Sequence, residues 1–219
     1  MSVLKKNAEA VYQKYAGNYD LVIKFYRLIG LHIEDYREHA VDLLNLKQGE
    51  CVLDLGCGTG LNFPHILKRI GPEGRLIGVD FSSEMMACAK ERIKRSSWEN
   101  VQLVHSDIAA YNFPSDINGV ISTGVFGYLD ERNRIIEKIS HILEPEGRLA
   151  IIDGKHPSRW PSWLFKLFIW LSSPYGVTED YFNSDTRELV ERYFQNITYK
   201  EVYGGLIFIL AGSADLTNT

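Results

Sequence analysis

The chain has 219 residues, 45% hydrophobic and 24% charged, which is the composition of one globular domain with a sizeable core. Its formal net charge of −4 and its isoelectric point near 5.9 give no general attraction to a phosphate backbone, which argues against a nucleic-acid partner. The three cysteines are too few for a disulfide framework, and no apolar run has the length of a signal peptide or a membrane span, so a cytoplasmic location is expected.

The N-terminal region, residues 1–47, is predicted to form a helical cap. Within it, residues 7–45 have the pattern of two or three helices rich in Tyr, Leu and Ile. This region precedes the first short β-rich run of the chain.

From residue 48 to 153, short β-rich runs alternate with amphipathic stretches. The predicted strands are residues 51–55, 75–80, 101–106, 119–123 and 148–153. The predicted helices are residues 61–70, 83–95 and 131–143, the last two with Ser82 and Asp130 as N-caps. This alternation predicts a parallel sheet that is covered by helices on both faces.

The C-terminal region departs from the alternation. Residues 154–185 form an insert after the fifth predicted strand, and residues 186–194 are predicted to form a helix. Residues 197–214 have the pattern of two strands joined at Gly204 and Gly205, the best short hairpin signal in the chain. The chain is therefore predicted to be a single α/β domain with a mostly parallel sheet of seven strands and an antiparallel last strand.

The sequence CVLDLGCGTGLNF, residues 51–63, runs from a predicted strand into a loop with glycine at positions 56, 58 and 60. Glycine at such a turn lets the backbone bend sharply and approach a ligand closely. The dinucleotide-binding pattern needs its third glycine one position later, where this chain has Leu61. The alternative to a ligand site is a tight turn that binds nothing.

Two neighbours of this loop argue against a pyrophosphate ligand. Pro64 lies in the first turn of the next predicted helix and has no N–H to offer a phosphate. Asp54, two residues before the loop, would repel a pyrophosphate but suits a ligand with a cationic ammonium end.

Carboxylates also follow the second and third predicted strands. Asp80 can accept hydrogen bonds from both hydroxyls of a ribose diol, and otherwise it is an N-cap or a turn residue. Asp107 or its neighbouring backbone can contact an adenine amino group while Ile108 packs on the ring. Together with the glycine loop, these residues describe a site for a nucleoside with a cationic, amino-acid-like tail.

Four successive segments resemble the motifs of class I S-adenosylmethionine-dependent methyltransferases. They are VLDLGCGTG, GVDFSSEMM, HSDIAAYNFP and HILEPEGRLAIIDGKHP. The resemblance covers roughly residues 12–214. It is closest to the branch that contains the ubiquinone and menaquinone C-methyltransferases and the bacterial phosphatidylethanolamine N-methyltransferases. Residues 17–36 also look like the N-terminal segment of that branch.

The resemblance implies a Rossmann-like fold, S-adenosylmethionine as cofactor and S-adenosylhomocysteine as product. It implies that the glycine loop borders the methionine part of the cofactor, with Asp54 at its amino end and Asp80 on its ribose. Tyr19 would close over the methionine end, and Thr123 would lie near the sulfonium. The residues implied to contact the cofactor are Tyr19, Asp54, Gly56, Gly58, Thr59, Gly60, Asp80, Phe81, Asp107, Ile108 and Thr123.

Methyl transfer from a sulfonium requires an aligned acceptor and exclusion of water, and it needs a base only where the acceptor must lose a proton. His156, just beyond the fifth predicted strand, is the candidate proton acceptor, followed by His32; each is otherwise a structural or surface histidine. The fourth strand ends in Ser122 and Thr123 instead of carboxylates, so no metal is expected.

The insert indicates the chemistry of the acceptor. Residues 155–182 contain three of the four tryptophans. With the N-terminal helices, they are expected to cover the site and form a pocket for a hydrophobic small molecule or lipid. Alternatively, residues 163–171 pack on the sheet edge, or residues 160–171 make peripheral contact with a membrane, because their aromatic side chains lie beside cationic ones.

Methyl transfer to a hydrophobic acceptor with a quinol-like, phenolic or amine head group is the predicted function. A nicotinamide-dependent oxidoreductase is opposed by Leu61 and Asp54. A non-catalytic protein with the same cofactor fold stays open, because binding does not prove turnover. The expected divisions of the domain are residues 1–47 as the cap, 48–153 as the cofactor-binding core, 154–185 as the acceptor-side insert and 186–219 as the closing helix and hairpin.

Overall fold

A seven-stranded sheet forms the centre of the computed structural model, which describes residues 32–173, 177–183 and 186–214. Its strands are β1 (Cys51–Leu55), β2 (Arg75–Asp80), β3 (Val101–His105), β4 (Ile117–Thr123), β5 (Leu143–Gly154), β6 (Phe194–Val202) and β7 (Ile207–Ala214). Their order is β3-β2-β1-β4-β5-β7-β6. Strands β1 to β5 pair in parallel, and β7 is antiparallel to both β5 and β6. The predicted mostly parallel sheet with an antiparallel last strand is confirmed.

Helices cover both faces of the sheet, as the alternating sequence predicts. Those in the described part of the chain are α1 (Ile33–Leu43), α2 (Phe63–Ile70), α3 (Ser83–Ser96), α4 (Arg132–Ile142), α5 (Ser162–Ser172) and α6 (Thr186–Glu191). The apolar faces of α1, α2 and α3 form one core cluster with the sheet, and those of α4 and α6 form the other. All five residues of β1 are buried, because helices pack on both of its faces.

The helix and strand boundaries agree with the sequence in some places and differ in others. The Ser82 hydroxyl accepts from the backbone N–H of Met85 at 3.2 Å, which confirms it as the N-cap of α3. The prediction for Asp130 is wrong, because α4 begins one residue later than expected and has Glu131 at its N-cap, without a side-chain hydrogen bond. Helix α6 ends at Glu191 because Phe194 already begins β6.

The order of the strands creates a crevice at the edge of the sheet. Strand β1 pairs with β2 on one side and with β4 on the other, so the chain leaves β1 and later returns on opposite sides of it. At such a switch point the connections diverge and leave space beyond the carboxyl ends of the strands. The glycine loop follows β1 at this place.

Polar contacts hold α1 against α2. Arg69 Nε donates to Asp42 Oδ1 at 2.8 Å, and His65 Nε2 lies 3.0 Å from Glu34 Oε1. Arg37 adds a third contact, because its Nη1 donates to Asn62 Oδ1 at 2.9 Å. These contacts fix the rotation and the position of α1 beside the crevice.

The insert after β5 has an inner and an outer aromatic face. Phe165 is 1% exposed, and its ring lies 5.4 Å from that of Phe182, centroid to centroid. On the opposite face of α5, Trp163 and Trp170 are 67% and 70% exposed. None of the helices in the described part of the chain is long and apolar enough to cross a bilayer.

Candidate functional site

A cavity lies at the carboxyl ends of β1 to β4 and contains about 780 Å³ of empty space. Part of this space is open to solvent, and small-molecule sites are commonly found at such switch points. The predicted site residues that line it are Gly56, Gly58, Thr59, Asp80, Phe81, Asp107, Ile108 and Thr123. The structure therefore brings together residues that the sequence spreads over four strand ends.

The glycine loop presents bare backbone to this cavity. Gly56 has a φ of +71°, and a Cβ there would lie 2.2 Å from Val125 Cγ2, so both conformation and packing require glycine. Gly58 has a φ of +54°, and a Cβ there would meet no heavy atom within 4 Å. The protein thus leaves the space in front of Gly58 open, which a closely bound ligand needs.

Asp80 lies at the end of β2 and is 6% exposed. Its Oδ2 accepts from the N–H of Gly58 at 2.8 Å, and its Oδ1 accepts from the N–H of Ser82 at 2.9 Å. Burial raises the pKa of Asp80, and these backbone hydrogen bonds oppose the rise. Each carboxylate oxygen has capacity for a further hydrogen bond, so Asp80 can hold the loop and still accept from a ligand hydroxyl.

The far side of the cavity is formed by the ends of β2 and β3. Ile108 is 5% exposed, and Phe81 lines the same space. Asp107 Oδ1 accepts from the backbone N–H of Ala109 at 3.1 Å, which orients its carboxylate. His105 Nε2 lies 2.8 Å from the carbonyl oxygen of Phe81. Apolar walls beside a hydrogen-bonding edge suit a planar heterocycle such as adenine.

Asp54 is fully buried and does not line the cavity. Side chains alternate along a strand, so Asp54 points to the same face as Val52, toward α1 and α2. Both of its oxygens accept from Asn62 Nδ2, at 3.1 and 3.2 Å, and the same Nδ2 lies 3.3 Å from Thr123 Oγ1. Burial raises the pKa of Asp54 to about 7. In this arrangement Asp54 is hydrogen-bonded to Asn62, and its predicted contact with the amino end of the cofactor stays a prediction.

Arg37 lines the cavity and was not among the residues predicted from the sequence. Its position shares one face of α1 with Ala40, Val41 and Leu44, which are all buried. The sequence does contain a signal for this burial: Arg37 takes the first position of an i, i+3, i+4, i+7 helical pattern whose other three positions are apolar. Surface charge is the ordinary interpretation of an arginine in an amphipathic helix, and it is wrong here, because Arg37 is only 6% exposed.

Comparison with known proteins agrees with this geometry. A family described as "Methyltransferase domain" matches residues 52–147. The demethylmenaquinone methyltransferase of Listeria welshimeri is 30% identical over 164 residues, 73% of this chain and 66% of that protein. The 2-phytyl-1,4-naphtoquinone methyltransferase of Thermosynechococcus vestitus is 33% identical over 153 residues, 69% of this chain and 66% of that protein. Over these residues the chain is similar to class I S-adenosylmethionine-dependent methyltransferases.

The fold agrees with a solved member of this group. The structure of a SAM-dependent methyltransferase from Aquifex aeolicus superposes with a TM-score of 0.59 at 23% identity, covering 82% of this chain and 89% of that one. The predicted Rossmann-like fold is thereby confirmed. The predicted methyltransferase family and its S-adenosylmethionine cofactor agree with the matching domain and the two relatives. The chain spans just under two thirds of the length of the two named relatives.

Besides Asp54, three predicted site residues lie away from the cavity or outside the described residues. A Cβ on Gly60 would lie 2.6 Å from the Phe63 ring, so this glycine allows close packing instead of facing a ligand. His156 is exposed, its ring packs 4.4 Å from that of Phe165, and it does not line the cavity. Its role as a proton acceptor has no support from this position. Tyr19 lies outside the residues that the structure describes.

A second buried carboxylate, Asp153 at the end of β5, holds the turn on the β4 side of the cavity. It accepts from the N–H of Gly127 at 3.1 Å, from that of Gly154 at 2.7 Å and from the hydroxyl of Tyr181. Tyr181 in turn packs 4.7 Å from the ring of Tyr128, which lines the cavity. Asp153 therefore fixes the turn that carries Tyr128. Within the described ranges, no three His, Cys, Asp or Glu side chains are grouped so that they could bind a metal ion.

Proposed function

We propose that this protein transfers a methyl group from S-adenosylmethionine to a hydrophobic acceptor of the quinol class. The observation that carries the proposal is the pairing of Gly58 with Asp80: a bare glycine opens the cavity, and the carboxylate that holds its N–H at 2.8 Å faces the same space. This pairing suits a nucleoside whose ribose lies across the ends of β1 and β2. Such a ligand, on a chain of this family, is the methyl donor.

The positions of the cavity residues support the following roles in this proposal. Asp80 accepts from the ribose hydroxyls, and Phe81, Asp107 and Ile108 surround the adenine. The backbone at Gly56, Gly58 and Thr59 borders the methionine part, and Thr123 at the end of β4 faces the transferring centre. When bound, the cofactor supplies an electrophilic methyl group and its own leaving group, so the protein's task is alignment and exclusion of water.

Apolar side chains on the β4 side of the cavity support a hydrophobic acceptor. Val125, Tyr128 and Leu129 line the cavity next to Thr123. Burial of apolar acceptor surface there contributes about 25 cal/mol per Å². The two named relatives are called after quinone acceptors, which agrees with this lining. The described residues of the insert do not line the cavity, so its predicted role as a roof stays a prediction.

Calorimetry and a labelled-methyl assay test the proposal. We expect the protein to bind S-adenosylmethionine and S-adenosylhomocysteine, and not NADH. With labelled cofactor, we expect transfer to a prenylated naphthoquinol, and slower or no transfer to catechol or to phosphatidylethanolamine vesicles. Binding without transfer to any of these acceptors would favour a non-catalytic cofactor-fold protein. Preferred turnover of the small polar acceptor would contradict a hydrophobic acceptor site.

We also propose that the protein is cytoplasmic and that the outer face of α5 contacts a membrane surface, where the protein reaches a lipid-dissolved acceptor. The exposed large apolar side chains of α5 share one helix face: Trp163, Leu167, Trp170 and Leu171. Lys166 on the same helix and Arg159 just before it are exposed cations. Tryptophan beside lysine and arginine is the chemistry of a helix that lies in the interface of an anionic bilayer.

A vesicle sedimentation assay tests this contact. We expect binding to vesicles of phosphatidylglycerol and phosphatidylcholine, a blue shift of tryptophan emission, and loss of both in the Trp163→Ser/Trp170→Ser variant. Lys94→Ser/Arg95→Ser on α3 is a matched control with exposed positions on another helix, and it should bind like the wild type. A dimer that buries α5 and does not dissociate on vesicles would contradict the proposal.

We propose further that residues 1–47, 48–153, 154–185 and 186–219 act as one methyltransferase domain. Its support is the shared sheet, because β6 and β7 from the last segment complete the sheet that β1 begins. A single cooperative unfolding transition followed by circular dichroism and by tryptophan fluorescence is the expected result. Two separated transitions would contradict it.

A further inference from the structure

Arg37 is a buried cation whose charge the described protein groups only partly balance. Its side chain lies among apolar residues of α1 and is 6% exposed. Its Nη1 donates to Asn62, but its Nε has no hydrogen-bond partner among the described residues, and Glu34 Oε2 stands 4.0 Å from that nitrogen. Burying a guanidinium with an unmade hydrogen bond is costly, and such a group is ordinarily paired.

A polar network holds the guanidinium in place. The amide nitrogen of Asn62 donates to both oxygens of Asp54 and lies within 3.3 Å of Thr123 Oγ1. The amide oxygen of Asn62 must then point away from β1, and it accepts from Arg37. Because α1 is also tied to α2 through Glu34 and Asp42, Arg37 cannot turn away from the cavity without breaking several contacts.

The position of Arg37 divides the cavity by charge. Through Asn62, Arg37 lies next to β1 and β4, whereas Asp107 follows β3 at the other end of the cavity. In the order β3-β2-β1-β4, these ends are three strand spacings, about 14 Å, apart. Among the described residues that line the cavity, Arg37 is the one lysine or arginine. A matching ligand carries an anion at the β4 end and hydrogen-bonding hydroxyls beside Asp80.

We infer that Arg37 binds the α-carboxylate of the methionine end of S-adenosylmethionine, and that Asp54 and Asn62 are positioning residues for it. The inference rests on the proposed function and specifies how the cofactor's amino-acid end is recognised. A carboxylate accepts two parallel hydrogen bonds from a guanidinium, and Arg37 is the cation that lines the β4 end of the cavity. It assigns Asp54 a role different from direct contact with the ammonium group.

Two ligands that differ in the amino-acid end test the inference. Calorimetry on the full chain compares S-adenosylmethionine with its decarboxylated analogue, and S-adenosylhomocysteine with 5′-methylthioadenosine. We expect the wild type to bind the carboxylate-bearing member of each pair at least about tenfold more tightly, since charge-assisted hydrogen bonds are the strong ones. In Arg37→Met this preference should disappear, while the affinity for methylthioadenosine stays near that of the wild type.

Matched variants separate binding from structure. Arg69→Met removes another arginine from the contact between α1 and α2, and it should lower the melting temperature without changing the ligand preference. Arg37→Lys should keep part of the preference, because it restores the charge without the fork. Asn62→Leu should reduce the preference and leave methylthioadenosine binding unchanged.

The outcomes separate failure of the inference about Arg37 from failure of the proposed function. If the wild type binds S-adenosylmethionine and its decarboxylated analogue equally well, the inference is overturned without any variant. Equal weakening of both members of a pair in Arg37→Met or Arg37→Lys would reduce Arg37 to a structural residue. If the wild type binds none of the sulfur nucleosides, the proposed function fails, and the inference fails with it.

Discussion

Gly58 and Gly49 show at the residue scale how a ligand site differs from a turn. Both have positive φ, +54° and +86°, and a Cβ on either would meet no protein atom within 4 Å. Only Gly58 lines the cavity. Alanine at each position carries a similar backbone strain, about 1–2 kcal/mol, but only at position 58 does the methyl group enter the space in front of the loop.

We therefore expect Gly58→Ala to weaken S-adenosylhomocysteine binding by on the order of tenfold or more, because the added methyl group overpacks the bound state. Gly49→Ala should lose similar stability and keep the wild-type affinity. Calorimetry and urea unfolding on both variants measure the two effects. Unchanged affinity in folded Gly58→Ala would show that the loop is a turn that binds nothing.

The raised pKa of Asp54 predicts that the free energy of unfolding depends on pH through this one side chain. Its pKa of about 7 in the ligand-free fold lies above the ordinary value of 3.8 because the carboxyl group is buried. As pH rises from 4 to 7, the unfolded chain loses this proton while the folded protein keeps it, so stability falls. The loss is complete above pH 7 and is on the order of 4 kcal/mol.

In Asp54→Asn this contribution is absent. The variant's unfolding free energy, relative to the wild type, should rise between pH 4 and pH 8. Urea unfolding of the ligand-free proteins at several pH values measures the difference, in which other titrating groups cancel. A difference that stays constant with pH would mean that Asp54 ionises with its ordinary pKa.

The two faces of helix α5 are expected to contribute very differently to the free energy of unfolding. Phe165 packs against Phe182 and is buried, whereas Trp163 stands in solvent two residues earlier. Phe165→Ala should lower the unfolding free energy by about 3–5 kcal/mol through loss of burial and a cavity. Trp163→Ala should change it by less than about 0.5 kcal/mol. Urea unfolding checks both values, and comparable losses would mean that the outer face of α5 is part of the core.

The elements of the cofactor half were readable from the sequence because local pattern decides them. Strands β1 and β2 have their predicted bounds, since short β-rich runs between glycine and charged residues have one interpretation. Strand β5 starts at Leu143, whereas the sequence predicts a start at residue 148. The prediction is later because Pro145 and Gly147 in the first part of the strand are typical of a loop. The start at Leu143 is set by pairing with Ile117, which no local pattern encodes. The register shifts between this pair and Arg148, and Glu146 in between has a φ of +70°.

The candidate site could be predicted only in part, because some of its residues depend on tertiary packing. The positions of Asp80, Asp107 and Gly58 follow from strand ends and strand order, which the alternating pattern supplies. Asp54 and Arg37 depend on which face of β1 meets α1 and on how α1 is rotated. Those are tertiary facts, set by the contacts of His65 and Arg69 with α1, and a one-dimensional pattern does not contain them.

At the scale of the whole molecule, the cavity joins groups from α1, the glycine loop and three other strand ends, so a bound ligand links elements that are distant in the chain. A ligand that binds only the folded state stabilises all of them together by mass action. S-adenosylhomocysteine at about 100 times its dissociation constant should add about 2.7 kcal/mol. For a chain of this size, that corresponds to a rise in melting temperature of about 5–10 °C.

Thermal unfolding with and without S-adenosylhomocysteine measures this rise. NADH at the same concentration should leave the melting temperature unchanged, because the loop has Leu61 where the dinucleotide pattern needs its third glycine and Pro64 has no N–H to offer a phosphate. Arg37→Met should show a smaller rise than Arg69→Met at equal ligand concentration, even if both variants start from lower melting temperatures. A rise confined to one of two transitions would mean that α1 or the hairpin of β6 and β7 unfolds apart from the site. A single transition that moves as a whole would show that the ligand contacts and the shared sheet belong to one cooperative unit.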